Sequence, residues 1–369
     1  MRILVFGMSG RLTGGIETFL LNMNANMSSN CIFDYVIMDK PNEHQTEVEA
    51  NGGKCYCITP YKENIFKNLI ELRNTIKTNR TNHPVAYFNL FSMVHLLPVI
   101  MCKLYGYKIV LHAHNNNLQQ KSKIYYYLHL LGRRLLKSMN CIRLTNSNES
   151  TKFMFGKNVK AKIIYNAIDV ERFRFNSFYR DEIRKKYNIE DKIVIGFSGR
   201  LSPQKNPFFL VEVFKEFHKK CANSVLMIAG EGDLRKDIEN IVKEYGIEDS
   251  VIMLGLRKDI EKYYQAFDLF LLPSLFEGLG IVLVEAQASG LPVVTSADVV
   301  PDIATITPQC IRQSLTQNAG EWASATLRLL SKCESLNRDN AYDIVKQSKF
   351  NIKKEAKRLE AILSNYGLR

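Results

Sequence analysis

No stretch of this chain stays apolar for the roughly 20 residues that a bilayer-spanning helix needs, and no signal peptide precedes the first strand. The expectation is a soluble or peripheral protein. Metal-binding patterns are also missing. The eight cysteines (31, 55, 57, 102, 141, 221, 310 and 333) show no paired ligand spacing, and Cys55-x-Cys57 has no matching His or Cys pair nearby, so they read as reduced thiols of a cytosolic protein. There is no Asp-x-Asp pair, no zinc-finger spacing, no helix-turn-helix and no aromatic ribonucleoprotein-type strand, which removes the common routes to nucleic acid. No internal repeat or low-complexity segment interrupts the chain. Acidic residues are in short supply, 37 against 50 Lys and Arg.

What remains is a 369-residue chain, 46% hydrophobic, long enough for two domains with a core each. Its net charge of +13 is uneven, about +11 in residues 1–169 and +2 in 170–369. A basic first half faces an anionic partner, and an anionic membrane or a phosphorylated acceptor fits better than nucleic acid.

The most informative stretch runs from Leu271 to Thr295. Leu269–Leu272 is a buried strand stopped by Pro273; Ile281–Ser289 has helical spacing; Gly290 suits the left-handed residue after a helix and Pro292 forbids continuation. In the loop between them, Gly278 and Gly280 let the backbone approach a ligand where the free N–H groups of a new helix favour an anion. Glu277 and Glu285 frame that point. A carboxylate beside a phosphate is unfavourable unless it accepts from hydroxyls, so both read as sugar-binding groups. The plainer reading is a surface helix with two solvated glutamates.

A second motif is Gly199-Arg-Leu-Ser-Pro-Gln-Lys-Asn206 between strand Ile193–Phe197 and a helix from Phe208 to Lys220. Arg200 and Lys205 can converge there on a diphosphate, the first as a two-donor fork and the second as a point charge. Strand Val225–Ala229 and Gly230-Glu-Gly-Asp-Leu234 repeat the strand-to-helix turn, and strand Val251–Leu254 leads into Leu256 and Arg257.

In the first half, strand Arg2–Phe6, the Gly-rich turn Gly7–Gly15 and a helix from Ile16 to Met27 have the geometry of a phosphate cradle, although not the dinucleotide glycine spacing; Asp39 sits near the place of a ribose-binding acid. Strand-like segments near Phe33–Met38, Lys54–Ile58, Val85–Phe88, Lys108–Ala113 and Cys141–Thr145 alternate with helical ones, the pattern of a doubly wound parallel sheet. His112-Ala-His-Asn115 ends one strand with both imidazoles on one side. The pair lacks a third metal ligand, and a packed or solvated pair is the alternative. Lys121–Lys137 carries five basic residues and three tyrosines, and reads either as a membrane-lying helix or as an ordinary helix packed on the sheet.

The pattern Pro273-Ser-x-x-Glu-Gly-x-Gly-x-x-x-x-Glu285-Ala-x-Ala-x-Gly-x-Pro-Val-Val closely resembles the nucleotide-sugar site of retaining glycosyltransferases of family 4, of bacterial capsule or exopolysaccharide type. Gly-Arg-x-x-x-x-Lys-Asn is that family's diphosphate motif, Asn166-Ala-Ile-Asp169 is similar to its hinge signature Asn-Gly-x-Asp, and Gly14-Gly15-Ile-Glu17 resembles its Gly-Gly-x-Glu loop facing the donor diphosphate. The resemblance implies the GT-B fold: α/β, two Rossmann-like doubly wound domains facing a cleft. It implies domains at 1–168 on the acceptor side, 169–348 on the nucleotide-sugar side, and a last helix, 349–369, crossing back onto the first.

It also implies catalytic roles for His114, Glu277, Arg200 and Lys205. Donor binding would fall to Gly14, Gly15, Arg200, Lys205, Gly230, Leu256, Arg257, Glu277, Gly278, Leu279, Gly280, Ile281 and Glu285. In this reading Glu277 contacts the sugar, Glu285 the ribose hydroxyls, Leu256 and Arg257 the base, and His112 and Asn115 support His114. No metal and no cofactor are expected, because Arg, Lys and a helix N-terminus replace the cation, and the nucleotide-sugar, most simply a UDP-sugar, is a substrate. A lipid-linked glycan acceptor and an anionic membrane surface are the other expected partners, with no nucleic acid, and the place is the inner face of the cell membrane. The rival readings are a sugar-nucleotide epimerase on the same fold and a non-catalytic scaffold of a polysaccharide assembly complex.

Overall fold

The computed structural model describes residues 1–10, 15–38, 42–115, 122–333 and 337–368. The chain divides into two compact units, Met1–Ala167 with Ile352–Arg369, and Ile168–Asn351. Asn166-Ala-Ile-Asp169 spans that division.

The first unit is built on seven parallel strands: β1 (Arg2–Phe6), β2 (Ile32–Ile37), β3 (Cys55–Cys57), β4 (Val85–Leu90), β5 (Lys108–Ala113), β6 (Cys141–Thr145) and β7 (Lys162–Ile163), in the order β3-β2-β1-β4-β5-β6-β7. The central strands read as continuous apolar runs because both faces are covered. Side chains alternate across the pleat. Ile3 and Val5 join a core with Ile16, Phe19 and Leu20 of helix Gly15–Ala25 and with Ile352, Ala356, Leu359 and Leu363 of helix Ile352–Leu368. Leu4 and Phe6 face the other layer, with Leu72 and Ile76 of helix Ile65–Asn79, Val99 and Cys102 of helix Leu97–Leu104, and Leu136 of helix Lys123–Leu136.

The second unit has six parallel strands: β8 (Ile193–Ser198), β9 (Ser224–Ala229), β10 (Val251–Gly255), β11 (Leu269–Leu272), β12 (Val293–Ser296) and β13 (Cys310–Gln313), in the order β10-β9-β8-β11-β12-β13. Counted within its own unit, each sheet runs 3-2-1-4-5-6, the doubly wound arrangement, and the first adds a seventh strand at the far edge. The chain reverses direction of travel between β1 and β4 and again between β8 and β11, where such sheets open a crevice beyond the strand ends.

The segment Val170–Tyr179, rich in Phe and Arg, reads in the sequence as irregular interdomain packing; instead, after a short helical turn at Val170–Phe173, the helix Ser177–Lys186 starts within it. Its cause is tertiary: Arg180 and Arg184 pair with Asp268 at 2.6 and 2.5 Å and, with Arg338, donate to carbonyls of residues 264–267 that end the helix Ile260–Ala266. A cavity of about 580 Å³, walled by Phe175, Phe267, Leu330, Arg180 and Arg338, lies there, at the N-terminal strand edge. Its arginines are committed to these carbonyls and to Asp268.

Candidate active site

All six strands of the second unit point the same way, so the loops after β8, β9, β10 and β11 share one edge. Backbone hydrogen bonds fasten them: Gly199 N to Ala229 O at 3.0 Å, Leu201 N to Glu231 O at 2.9 Å and Gly230 N to Gly255 O at 2.9 Å. A Cβ on Gly230 would lie 1.9 Å from Gly199 O, so only glycine permits the approach of these two turns. On the other side, Leu275 N donates to Gln204 O at 2.8 Å and Gln204 Nε2 to Phe276 O at 3.0 Å, which locks the Arg200–Lys205 loop to the loop carrying Glu277.

Lys205 Nζ lies 2.5 Å from Glu277 Oε1, and Ser274 Oγ donates to the same oxygen at 2.7 Å. Ser274 is itself held by Ser296, whose hydroxyl donates to Ser274 O at 2.7 Å. The pinned oxygen leaves Oε2 as the freer one, beside Gly280. That glycine has φ +72° and precedes helix Ile281–Ala288, whose N-terminus no side chain caps. The space beside Gly278 is open for at least 4 Å. One turn into the helix, Glu285 Oε2 accepts from Tyr264 Oη at 3.1 Å, and burial raises the Glu285 pKa to about 7. Arg200 is exposed and has no side-chain partner among the described residues. The edge thus combines a free guanidinium, a lysine held by a carboxylate, an uncapped helix start and a second, easily protonated carboxylate.

Leu256 and Arg257 follow edge strand β10. Leu256 is exposed, whereas Arg257 is tied to Asp259 by two contacts of 3.1 Å and lies over the Tyr263 ring. Its guanidinium is therefore occupied, unlike that of Arg200.

In the first unit, Gly14, Asp39 and Lys121 lie outside the described residues, and Gly15 opens its helix. Glu17 is buried and accepts from Ser9 N at 2.9 Å. The two imidazoles at the end of β5 do lie together, with ring centres 4.1 Å apart. His112 is fully buried against Tyr87, Oη to Nδ1 2.6 Å. His114 is half-buried, its Nε2 2.9 Å from Asn89 Oδ1, and burial lowers its pKa to about 3. Asn115 Nδ2 donates to Phe91 O at 3.4 Å. Tyr87, Asn89, Tyr264, Ser274 and Ser296 were not singled out from sequence. Each comes from a different strand or helix than the residue it holds, except Ser274, which lies in the loop just after β11; Asn89 and Ser296 carry the one available signal, a polar residue at the C-terminal end of an apolar strand.

Residues 179–308 match the family described as Glycosyl transferases group 1. EpsF of Bacillus subtilis (strain 168), which carries the name of a glycosyltransferase, is 28% identical over 338 residues, covering 87% of this chain and 86% of that protein. The UDP-Gal:alpha-D-GlcNAc-diphosphoundecaprenol alpha-1,3-galactosyltransferase of Escherichia coli is 27% identical over 280 residues, 72% of this chain and 71% of its own. The structure is similar to that of Anabaena HepE in complex with UDP and glucose, with TM-score 0.76, 19% identity and 99% of both chains covered. It is also similar to WaaG, a glycosyltransferase involved in lipopolysaccharide biosynthesis, with TM-score 0.71, 14% identity, and 98% of this chain and 99% of that one covered. The fold is GT-B, and the family match together with the relatives supports a GT-B glycosyltransferase.

Proposed function

We propose that this protein is a retaining, metal-independent hexosyltransferase of family 4 that moves a sugar from a UDP-sugar to a lipid-linked glycan in bacterial surface polysaccharide synthesis, of capsule or exopolysaccharide type. The observation carrying this reading is the strand-end edge of the second unit, where free Arg200, paired Lys205 and Glu277, and partly protonated Glu285 surround an uncapped helix start. Arg200 and Lys205 supply positive charge to a leaving diphosphate, the work a metal ion does elsewhere. Glu277, pinned on Oε1, orients the sugar through Oε2 and does not attack it. The leaving phosphate takes the acceptor proton as the acceptor enters on the same face. His114 is assigned to the sugar, Glu285 to ribose, and the turns after β9 and β10 to the base.

The name of the E. coli relative, with its UDP-linked donor and diphosphoundecaprenol-linked acceptor, supports the donor and acceptor classes. The bound UDP and glucose of HepE support the donor class. Incubation with a panel of UDP-, GDP- and ADP-sugars, with and without lipid-linked acceptor, tests the reading. Nucleoside diphosphate release that requires acceptor, and a product keeping the donor's anomeric configuration, is the expected result. Release without acceptor, or an epimerised nucleotide-sugar, points to the epimerase. No turnover and no nucleotide binding points to the scaffold.

We also propose that the first unit rests on the cytoplasmic face of an anionic membrane. No helix among the described residues is long and apolar enough to cross one. Helix Lys123–Leu136 instead turns an apolar stripe outward. Ile124, Tyr127, Leu128, Leu131 and Leu135 are exposed, while His129, Gly132 and Leu136 face the protein. Gly132 is needed inward because a Cβ there would lie 1.8 Å from Met93 O. Phe66 and Ile70, and Leu97 and Leu104, are exposed on two other helices of the same layer, and Lys123, Arg134 and Lys137 flank the stripe. Exposed apolar surface ringed by lysine and arginine suits a bilayer with anionic headgroups.

A further inference from the structure

We propose that Asn89 is a positioning residue that fixes His114 as the tautomer protonated on Nε2, so that Nδ1 stands as a bare acceptor for a hydroxyl of the donor sugar. The assignment of that hydroxyl to a sugar rests on the transferase reading above; the tautomer does not.

Asn89 is the penultimate residue of β4, beside β1 at the point where the sheet changes direction, and it is buried. Its Nδ2 donates to Phe6 O at 3.2 Å. Turning the amide over would set two oxygens against each other at that distance, so Oδ1 must face His114. Oδ1 can only accept. The 2.9 Å contact therefore requires a hydrogen on His114 Nε2. A neutral imidazole carries one N–H, which leaves Nδ1 with its lone pair, and Nδ1 has no partner among the described residues. The ring cannot readily turn to exchange its nitrogens: Phe19 packs edge-on at 5.2 Å and His112 lies at 4.1 Å. The loss of protonation by burial agrees with a neutral ring at physiological pH. Such a histidine recognises an O–H. It cannot donate from Nδ1 to a phosphate oxygen, nor act there as a proton source.

The test uses full-length protein labelled with 15N at its seven histidines. The His114 signals are assigned by their loss in His114→Gln. The expected spectrum has a pyrrole-type Nε2 and a pyridine-type Nδ1 between about pH 5 and 8. Asn89→Leu removes the acceptor at similar volume, and should mix or reverse the tautomer and lower kcat about tenfold or more, with nucleoside diphosphate affinity unchanged. Asn89→Asp, with one carboxyl oxygen protonated to donate to Phe6 O in place of the amide, restores an acceptor toward Nε2 and should restore the Nε2–H tautomer. A wild-type spectrum with hydrogen on Nδ1 overturns the proposal even if the leucine variant fails to fold. So does a folded Asn89→Leu protein with an unchanged tautomer. The expected tautomer combined with full transferase activity in His114→Gln leaves the role of Asn89 on the ring standing and overturns the assignment of Nδ1 to the donor sugar.

Discussion

Lys205 and Glu277 meet at 2.5 Å with 14% and 4% of their side chains exposed, so each is the other's main compensation for leaving water. Arg200, a few residues away in the same loop, is exposed and has no side-chain partner among the described residues. Two basic residues of one motif therefore stand in opposite electrostatic situations before any ligand arrives.

That difference separates their variants. Arg200→Ala and Lys205→Ala should each lower turnover by about 100-fold or more, the range for lost transition-state charge stabilisation. Arg200→Ala should leave the melting temperature unchanged. Lys205→Ala strands a buried carboxylate and should destabilise the second unit by about 3 kcal/mol, whereas Lys205→Ala combined with Glu277→Gln should recover stability without recovering activity. Thermal melts beside steady-state rates decide this, and an equally stable Lys205→Ala protein would refute the pairing.

Glu285 sets a pH dependence. Its folded pKa, raised to about 7 from the ordinary 4.5, means that the folded protein holds a proton the unfolded chain has lost across that interval. The contribution to stability is fully present below about pH 4.5, falls as pH rises through 7, and is on the order of 3 kcal/mol at most. Ribose hydroxyls need the ionised form, so UDP affinity should rise with pH through about 7, with proton uptake by buffer below it. Calorimetry in buffers of different ionisation enthalpy measures that proton. Glu285→Gln should abolish the dependence and weaken UDP itself, while Glu277→Ala should mainly weaken the intact UDP-sugar or its transfer.

Gly230→Ala probes the scaffold of the site. The added Cβ meets Gly199 O at 1.9 Å, and Gly230 has φ +149°, so the turns after β8 and β9 must part. A loss of about 2 kcal/mol or more in denaturant unfolding is expected, with nucleotide binding weakened in the folded fraction. Gly278→Ala, whose Cβ meets nothing within 4 Å, should fold normally and lose only ligand affinity.

The outward helix face gives a fourth expectation. Liposome sedimentation should show binding to anionic vesicles that weakens with salt, since basic residues near such a surface contribute about 1 kcal/mol each. Changing Lys123, Arg133, Arg134 and Lys137 together to Gln should remove the salt-sensitive part, and Leu128→Gln with Leu131→Gln the remainder. Equal binding to neutral vesicles, or no loss in either variant, would return this helix to a purely structural role.

Local chemistry by itself determined the strand-loop-helix units here: proline and glycine stop the elements around Leu269–Pro292, and apolar runs mark strands whose two faces are both covered. Arg200, Lys205, Glu277 and Glu285 were legible because charged groups stand at fixed distances from those turns. Only the tertiary structure decided how these charges are used. That Lys205 is held by Glu277 while Arg200 has no side-chain partner among the described residues, and that Glu285, bonded to Tyr264, retains a proton near neutrality, depend on partners and burial that sequence spacing does not encode. The helix Lys123–Leu136 shows the same limit. Its apolar residues could be counted in sequence, but their direction was set by where Tyr125 meets Ser92 and where His129 and Gly132 meet Met93, contacts between segments distant in the chain.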